Sequence, residues 1–162
     1  VSGAADFPAV ATPRVAAGVL FVDEHDRVML VKPSYKPYWD IPGGYVEPGE
    51  SPRAACQREI LEELGITVPV GGMLAVDWAP HPAEGDKMLF IFDGGTLADE
   101  QLAAIQFQDN EITEFTFASS DDIERLTIPR LARRLHAALA ALAHQRPVYL
   151  EEGSSPAGDA AS

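Results

Sequence analysis

GYVEPGESPRAACQREILEELGI, residues 44–66, is the stretch that decides the fold. It divides into a loop, a helix and a stop. Ser51 is suited to cap the helix, because its hydroxyl can accept a free backbone N–H at the helix start. Pro52 follows at the first helical position, where its missing N–H costs nothing. Gly65 stands where helices commonly end in a left-handed residue. The thirteen residues between them, Pro52 to Leu64, contain no glycine, so the spacing predicts one helix. Glu59, Glu62 and Glu63 recur at i, i+3 and i+4 and share one side at 3.6 residues per turn. Ile60, Leu61 and Leu64, with Ala54, are expected on the other side, against a core. Like charges at this spacing oppose a helix by roughly 0.2–0.5 kcal/mol per pair. Two readings follow: a solvated acidic face, or a seat for a hard divalent cation. Mg²⁺ takes oxygen ligands and keeps positions for water and substrate phosphate.

The stretch carries a resemblance. Gly44, five residues, Glu50, seven residues and then Arg58-Glu59-Ile60-Leu61-Glu62-Glu63-Leu64-Gly65-Ile66 resembles the Nudix box of the MutT-like Nudix hydrolases. That box reads G-x5-E-x7-R-E-U-x-E-E-x-G-U, with U aliphatic, and no position departs from it. Seven fixed positions at ordinary residue frequencies give a chance match on the order of 10⁻⁹ per start site. The lead-in, Trp39-Asp40-Ile41-Pro42-Gly43-Gly44, is similar to the family's as well. The box covers 23 of the 162 residues. The resemblance implies an α/β fold, an α/β/α sandwich with a mixed sheet between helices. It also implies hydrolysis of a nucleoside diphosphate linked to another moiety, with Mg²⁺ or Mn²⁺ and attack of water at phosphorus.

Roles follow from the resemblance position by position. Glu59 and Glu63 are the expected metal ligands, Glu62 a third or a partner through water, and the Gly43 carbonyl another. Arg58 is expected to pair with a box carboxylate and hold its geometry, and Glu50 to support a second ion or orient the helix. The general base is a box glutamate or an acid from a downstream loop. Glu111 is the leading downstream candidate, with Glu114 and Asp109 behind it. Glu62, Glu63, Arg58 and Glu111 thus form the expected catalytic set. Some ADP-ribose-type members carry a proline about sixteen residues past the box, where Pro82 stands with Pro80 nearby; a nucleoside triphosphate substrate stays open. The alternative from another class is a nucleotide-binding sensor module that does not cleave.

Composition narrows the partners. One domain is the expectation for 162 residues. The net charge of −13 argues against non-specific nucleic-acid or anionic-membrane binding, both of which need basic surface. An enzyme acting on phosphates must then offset that charge locally, with a metal or a basic cluster. The partner expected is a small phosphoanhydride, and a homodimer is left open. The single cysteine, Cys56, reads as a small packing residue and fits a reducing cytoplasm. Residues 1–10 lack the basic start and apolar run of a secretory signal, and no stretch approaches ~20 apolar residues.

Outside the box the chain alternates apolar runs with turns. Residues 1–13 read as a loose arm. The nearly continuous apolar run 15–22 suggests a strand buried on both faces, and 27–31 is expected to return as its hairpin partner. KPSYKPY, residues 32–38, holds Lys32 and Lys36, either of which could contact a phosphate. Residues 40–46 are expected to form a short strand entering a Gly43-Gly44 turn. Residues 73–79 and 87–92 read as a second hairpin, with Trp78 at its edge placed to stack on a base or cap the core. A short helical turn is expected at 98–104, a strand at 112–118 and a helix at 121–126 capped by Ser119 or Ser120. A last helix, capped by Thr127, is expected to run to about His144 with Leu131, Leu135, Leu139 and Leu142 as its apolar stripe. Arg130, Arg133 and Arg134 read as a solvated face. The domain is expected to span 14–148, with a disordered tail over 149–162.

Overall fold

A computed structural model describes residues 6–156. The expectations for 1–5 and 157–162 lie outside the described residues; 6–13 carry neither helix nor strand. Seven strands and four helices follow. Strands β1 (Arg14–Phe21), β3 (Gly43–Tyr45), β4 (Met73–Trp78), β5 (Lys87–Gly95) and β7 (Val148–Glu151) form one sheet in the order β3-β1-β5-β4-β7. The sheet is mixed: β1 runs antiparallel to β3 and parallel to β5, and β4 runs antiparallel to β5 and parallel to β7. Strands β2 (Val28–Pro33) and β6 (Ile112–Ala118) make a separate antiparallel pair. Helices α1 (Pro52–Leu64) and α4 (Pro129–His144) cover opposite faces, with α2 (Asp99–Ala103) packing on the α1 side and α3 (Ser120–Leu126) on the α4 side.

The apolar run at β1 explains the layering. Its alternate residues belong to two different cores. Ala17, Val19 and Phe21 pack with Ile60 and Leu64 of α1, while Leu20 packs with Leu131 and Leu135 of α4. Strand β2 does the same, with Met29 and Val31 on the α1 side and Val28 and Leu30 on the α4 side. A strand buried on both faces has no polar alternation to keep, which is why the sequence there is almost wholly apolar.

Several expectations are corrected. β1 and β2 are not a hairpin: their only pairing is the bridge Val22–Val28, because β1 takes β3 and β5 as its neighbours. Gly43 and Gly44 form no turn; both are strand residues opposite Gly18 and Ala17. A Cβ on Gly43, whose φ is +154°, would strike the backbone of Ala17 and Gly18, so glycine is required for the close strand approach. Thr127 does not cap α4. Its hydroxyl donates to the Ile123 carbonyl at 2.7 Å, and α4 starts after Ile128 with Pro129 at its first position. The chain from residue 149 is not a disordered tail as far as 156, since Leu150 is fully buried in β7 and pairs with Asp77 of β4.

The box helix spans Pro52–Leu64, with Ser51 accepting the Ala54 N–H at 3.1 Å and Gly65 left-handed at φ 70°. Its faces differ from the expectation. Leu61 and Ala54 are exposed, and the buried residues are Ala55, Cys56, Ile60 and Leu64. At about 100° per residue, Glu63 and Glu59 fall between the directions of Cys56 and Ala55. These two carboxylates therefore lie inside the buried arc, under β3, and Glu62 alone is on the open side.

Candidate active site

Strand β3 forms the floor of the carboxylate group. The Gly43 N–H donates to Glu63 Oε2 at 3.2 Å. A Cβ on Gly44 would run into the Glu59 carboxylate, so this glycine lets the acid reach the strand. Arg58 binds the rest together. Its Nε and Nη2 hold both oxygens of Glu50 at 2.8 and 2.9 Å, and its Nη1 reaches Glu59 at 2.9 Å and Glu62 at 3.1 Å. Nη2 also donates to the Tyr45 carbonyl at 3.1 Å. A forked, planar donor suits this many carboxylate oxygens. Glu50 is thus bound as the helix-orienting partner of Arg58.

The electrostatics separate these acids. The Arg58 hydrogen bond holds the Glu50 carboxyl below its usual range, and Glu50 in turn raises the guanidinium's pKa. Burial raises Glu59, against the opposing pull of Arg58. Glu63 is pushed up to about 8, first by burial and then by the charge of Glu59, with the Gly43 N–H pulling the other way. No cation among the described residues pairs with Glu63. A buried carboxylate without a partner cation is costly, and a hard divalent ion is the partner that two adjacent carboxylates fit. Among the described residues no three acidic or imidazole groups converge as a ready cage; Glu62 is turned to Arg58. Glu59 and Glu63 are therefore the pair that could hold Mg²⁺, which commonly keeps waters and takes only one or two carboxylates.

A cavity of about 450 Å³ adjoins this group through Gly43 and Gly44. Its floor is Ala16, Gly18, Leu89 and Ile91; Tyr35, Trp39 and Tyr45 stand in its walls, with Arg130 and Leu131 on the α4 side. Volume and mostly apolar lining suit a small ligand. Of the residues expected to bind substrate, Lys36 lines the cavity and Lys32 and Trp78 do not. Lys32 Nζ is spent on the carbonyls of Pro33 and Lys36 at 3.1 and 2.7 Å. Lys36 binds Asp40 at 2.8 Å; burial would lower its ammonium, and the charge and hydrogen bond of Asp40 together with the charges of Tyr35 and Glu63 raise it. Trp39 takes the aromatic place expected of Trp78; it sits in the box lead-in, a signal available in the sequence.

The downstream acids are separated as well. The Glu111 carbonyl accepts the Ser34 N–H at 2.7 Å, and its carboxylate charge raises both Glu59 and Glu63. Glu114 stands opposite Lys32 in the β2–β6 pair, exposed; no bond ties Asp109 to the site. Pro82 does not line the cavity, whereas the Pro80 carbonyl accepts from Arg130. The expected solvated arginine face is solvated only in part: Arg133 is exposed and Arg130 half-buried. Arg134 is buried against Asp77 at 2.6 Å, and Arg133 donates to the Glu152 carbonyl at 2.9 Å.

At the mouth, Lys87 and Tyr45 both hydrogen-bond Glu84, at 2.6 and 2.9 Å, and hold its carboxyl down to about 2. No helix among the described residues is long and apolar enough to cross a membrane.

Residues 12–139 match the family model described as the NUDIX domain. A Bacillus subtilis (strain 168) protein assigned provisionally as an 8-oxo-dGTP diphosphatase is 38% identical over 85 residues, which is 51% of this chain and 57% of that protein. The match thus spans little more than half of the curated relative. The crystal structure of a MutT protein from Methanosarcina mazei Go1 superposes with a TM-score of 0.65 at 23% identity, over 85% of this chain and 98% of that one. A UDP-X diphosphatase structure superposes with a TM-score of 0.68 at 25% identity, over 88% of this chain and 69% of that one.

Proposed function

This chain belongs to the NUDIX family, and from that premise we propose that it is a divalent-metal-dependent hydrolase cleaving a phosphoanhydride in a nucleoside diphosphate derivative. One observation carries the reading: β3 has the ligand-sized cavity against Gly43 and Gly44, and the same two glycines touch the half-buried carboxylates Glu63 and Glu59. Glu59 and Glu63 do not line the cavity themselves, so on this reading the phosphates of a substrate seated there extend past the two glycines to the acids. The names of the Bacillus relative and of the UDP-X diphosphatase both put a phosphorylated nucleoside in the substrate.

Phosphoryl transfer asks a protein mainly for positioning and charge stabilisation. Glu59 and Glu63 would hold Mg²⁺ or Mn²⁺, with Glu62 able to join through water. Bound there, the ion polarises phosphoryl oxygens and lowers the pKa of a bound water. Arg58 fixes the carboxylates by its fork of hydrogen bonds and keeps Glu50 and the helix start in register. Glu111 accepts the proton of the attacking water from the side of the 32–38 loop. Tyr35, Trp39 and Tyr45 give the non-reacting part of the substrate flat apolar surfaces. A cytoplasmic location agrees with the single, buried, free cysteine.

The test is hydrolysis of a panel with Mg²⁺, with and without EDTA: ADP-ribose, nucleotide sugars, canonical and oxidised nucleoside triphosphates, dinucleoside polyphosphates and non-nucleotide diphosphates. One class cleaved only with metal is expected. Glu63→Gln should lower that turnover by more than about 100-fold, beyond what loss of a supporting residue around a metal costs. It should leave the fold intact and, in EDTA above pH 8, raise the melting temperature, because only there is the carboxyl charged and unpaired. Undiminished turnover in this variant would sink the ligand assignment. Inactivity on the whole panel, with tight binding of one member, would favour a nucleotide sensor instead.

A further inference from the structure

Four lysine and arginine side chains line the cavity: Lys36, Lys87, Arg130 and Arg134. Three are matched by a carboxylate. Lys36 has Asp40 at 2.8 Å, Lys87 has Glu84 at 2.6 Å and Arg134 has Asp77 at 2.6 Å. Arg130 has none. Its Nη1 and Nη2 both donate to the single Pro80 carbonyl, at 3.0 and 2.9 Å. A guanidinium carries five N–H donors in a fixed fork, so three remain for a ligand. In a chain of net charge −13, an uncompensated cation on a cavity wall is a feature that a ligand would use.

Residues 148–154 hold that wall. They follow the matched region 12–139 and pack on the first turns of α4. The Gly153 N–H donates to Asp77 Oδ1 at 3.0 Å, and Asp77 Oδ2 takes the Arg134 Nε. Asp77, fully buried, therefore joins β4, α4 and the C-terminal segment. The Glu152 carbonyl accepts from Arg133, and the Glu152 N–H donates to the Trp78 carbonyl at 2.9 Å. Gly153 has φ +80°, and a Cβ there would come 2.8 Å from the Arg130 carbonyl and 3.0 Å from Arg133 Cβ. No other residue type fits without moving the turn that bears Arg130.

We propose that Arg130 binds a pair of adjacent acceptor atoms on the substrate group that fills the cavity, and that residues 148–154 are a positioning element holding it there. This rests on the cavity being the substrate site of the hydrolase. The fork of an arginine fits two such pairs, the O6 and N7 edge of guanine and two oxygens of a phosphate. Both share one chemistry, and the test separates them.

The test uses the full chain in EDTA, so that binding is read without turnover, through the fluorescence of Trp39 in the cavity wall. The probes are guanosine and ribose 5-phosphate. Arg130→Met should weaken one of them roughly tenfold, the loss of one good bidentate contact. Arg130→Lys should restore ribose 5-phosphate binding but not guanosine, because the ammonium keeps the charge and lacks the fork. Gly153→Ala should weaken the same probe several-fold and, in turnover, raise KM with kcat unchanged. Asp77→Asn, which keeps one of the two acceptors and sets its amide N–H against either the Gly153 N–H or Arg134 Nε, is the second positioning variant should Gly153→Ala fail to fold. Parent-like binding of both probes by Arg130→Met overturns the proposal, as does failure of the parent to bind either. A folded Gly153→Ala or Asp77→Asn chain with unchanged affinity and KM overturns the positioning half. The hydrolase reading fails on a different result, metal-independent turnover or an active Glu63→Gln, neither of which touches these affinities.

Discussion

Arg58 and Arg134 each join several parts of the chain, on opposite faces of the central sheet, by different physics. Arg58 spreads its donors over Glu50, Glu59, Glu62 and the Tyr45 carbonyl, all within 13 residues of it. Its side chain keeps 23% of its exposure and Glu62 keeps 49%. Arg134 gives its Nε to one fully buried partner, Asp77, which lies 57 residues away. Partly solvated pairs contribute little to stability and much to geometry. A buried pair contributes by making its own rupture expensive. On the proposed reading the α1 side is arranged for an ion, while the α4 side is arranged to keep a wall in place.

Breaking each network should display that contrast. The largest effect is expected from Asp77→Ala. It strands the Arg134 guanidinium and the Gly153 N–H in the core, at a cost of about 3–5 kcal/mol, read from denaturant unfolding. A loss under about 1 kcal/mol would mean that the pair is solvated in solution. Arg58→Ala should behave oppositely. Metal affinity or turnover should fall by about 10–100-fold, as for other residues that orient metal ligands, with little change in melting temperature. A large melting shift with intact turnover would reverse the roles of the two arginines.

Smaller effects test the frame of α1 itself. Ser51→Ala removes the acceptor for the Ala54 N–H and should cost about 1 kcal/mol, seen as a lowered denaturation midpoint at unchanged slope. Cys56, on the buried arc, supplies a pH test. Burial pushes its thiol up to about 12 from an ordinary 9.0. Below pH 9 the thiol is neutral in folded and unfolded chains alike. As pH rises from 9 toward 12 the unfolded chain ionises first, so the folded state loses relative stability. Native protein at pH 8 should react slowly with a thiol reagent and quickly once denatured. Fast native labelling at that pH would show the arc to be open.

The box was legible because its information is local. Caps and glycine stop act on backbone groups within four residues, so Pro52–Leu64 appears in the structure with its expected bounds. The second hairpin and the strand Ile112–Ala118 were legible for the same reason. The burial of Glu59 and Glu63 was not. A helical wheel gives directions round an axis, and which arc is covered depends on where β3 lies over it. The same limit hid the partners of β1. An apolar run buried on both faces carries no alternation from which to choose a neighbour, and the return at residues 27–31 looked like the nearest one.

What the amino-acid sequence determined by itself is the helix, its stop, the identity and spacing of the acids, and the family motif they spell. Each rests on hydrogen bonds and periodicities that close within a turn or two. The tertiary structure alone decided that two of those acids are half-buried under β3, which borders a cavity. It also decided that Trp39 rather than Trp78 faces that cavity, and that Asp77, Arg134 and Gly153 meet. The last of these depends on contacts between residues 57 and 76 positions apart, and the placing of Glu63 under β3 on one 20 apart. Such contacts form only when the two cores close around the sheet, since burial, and not neighbourhood in the chain, makes a charge seek its partner.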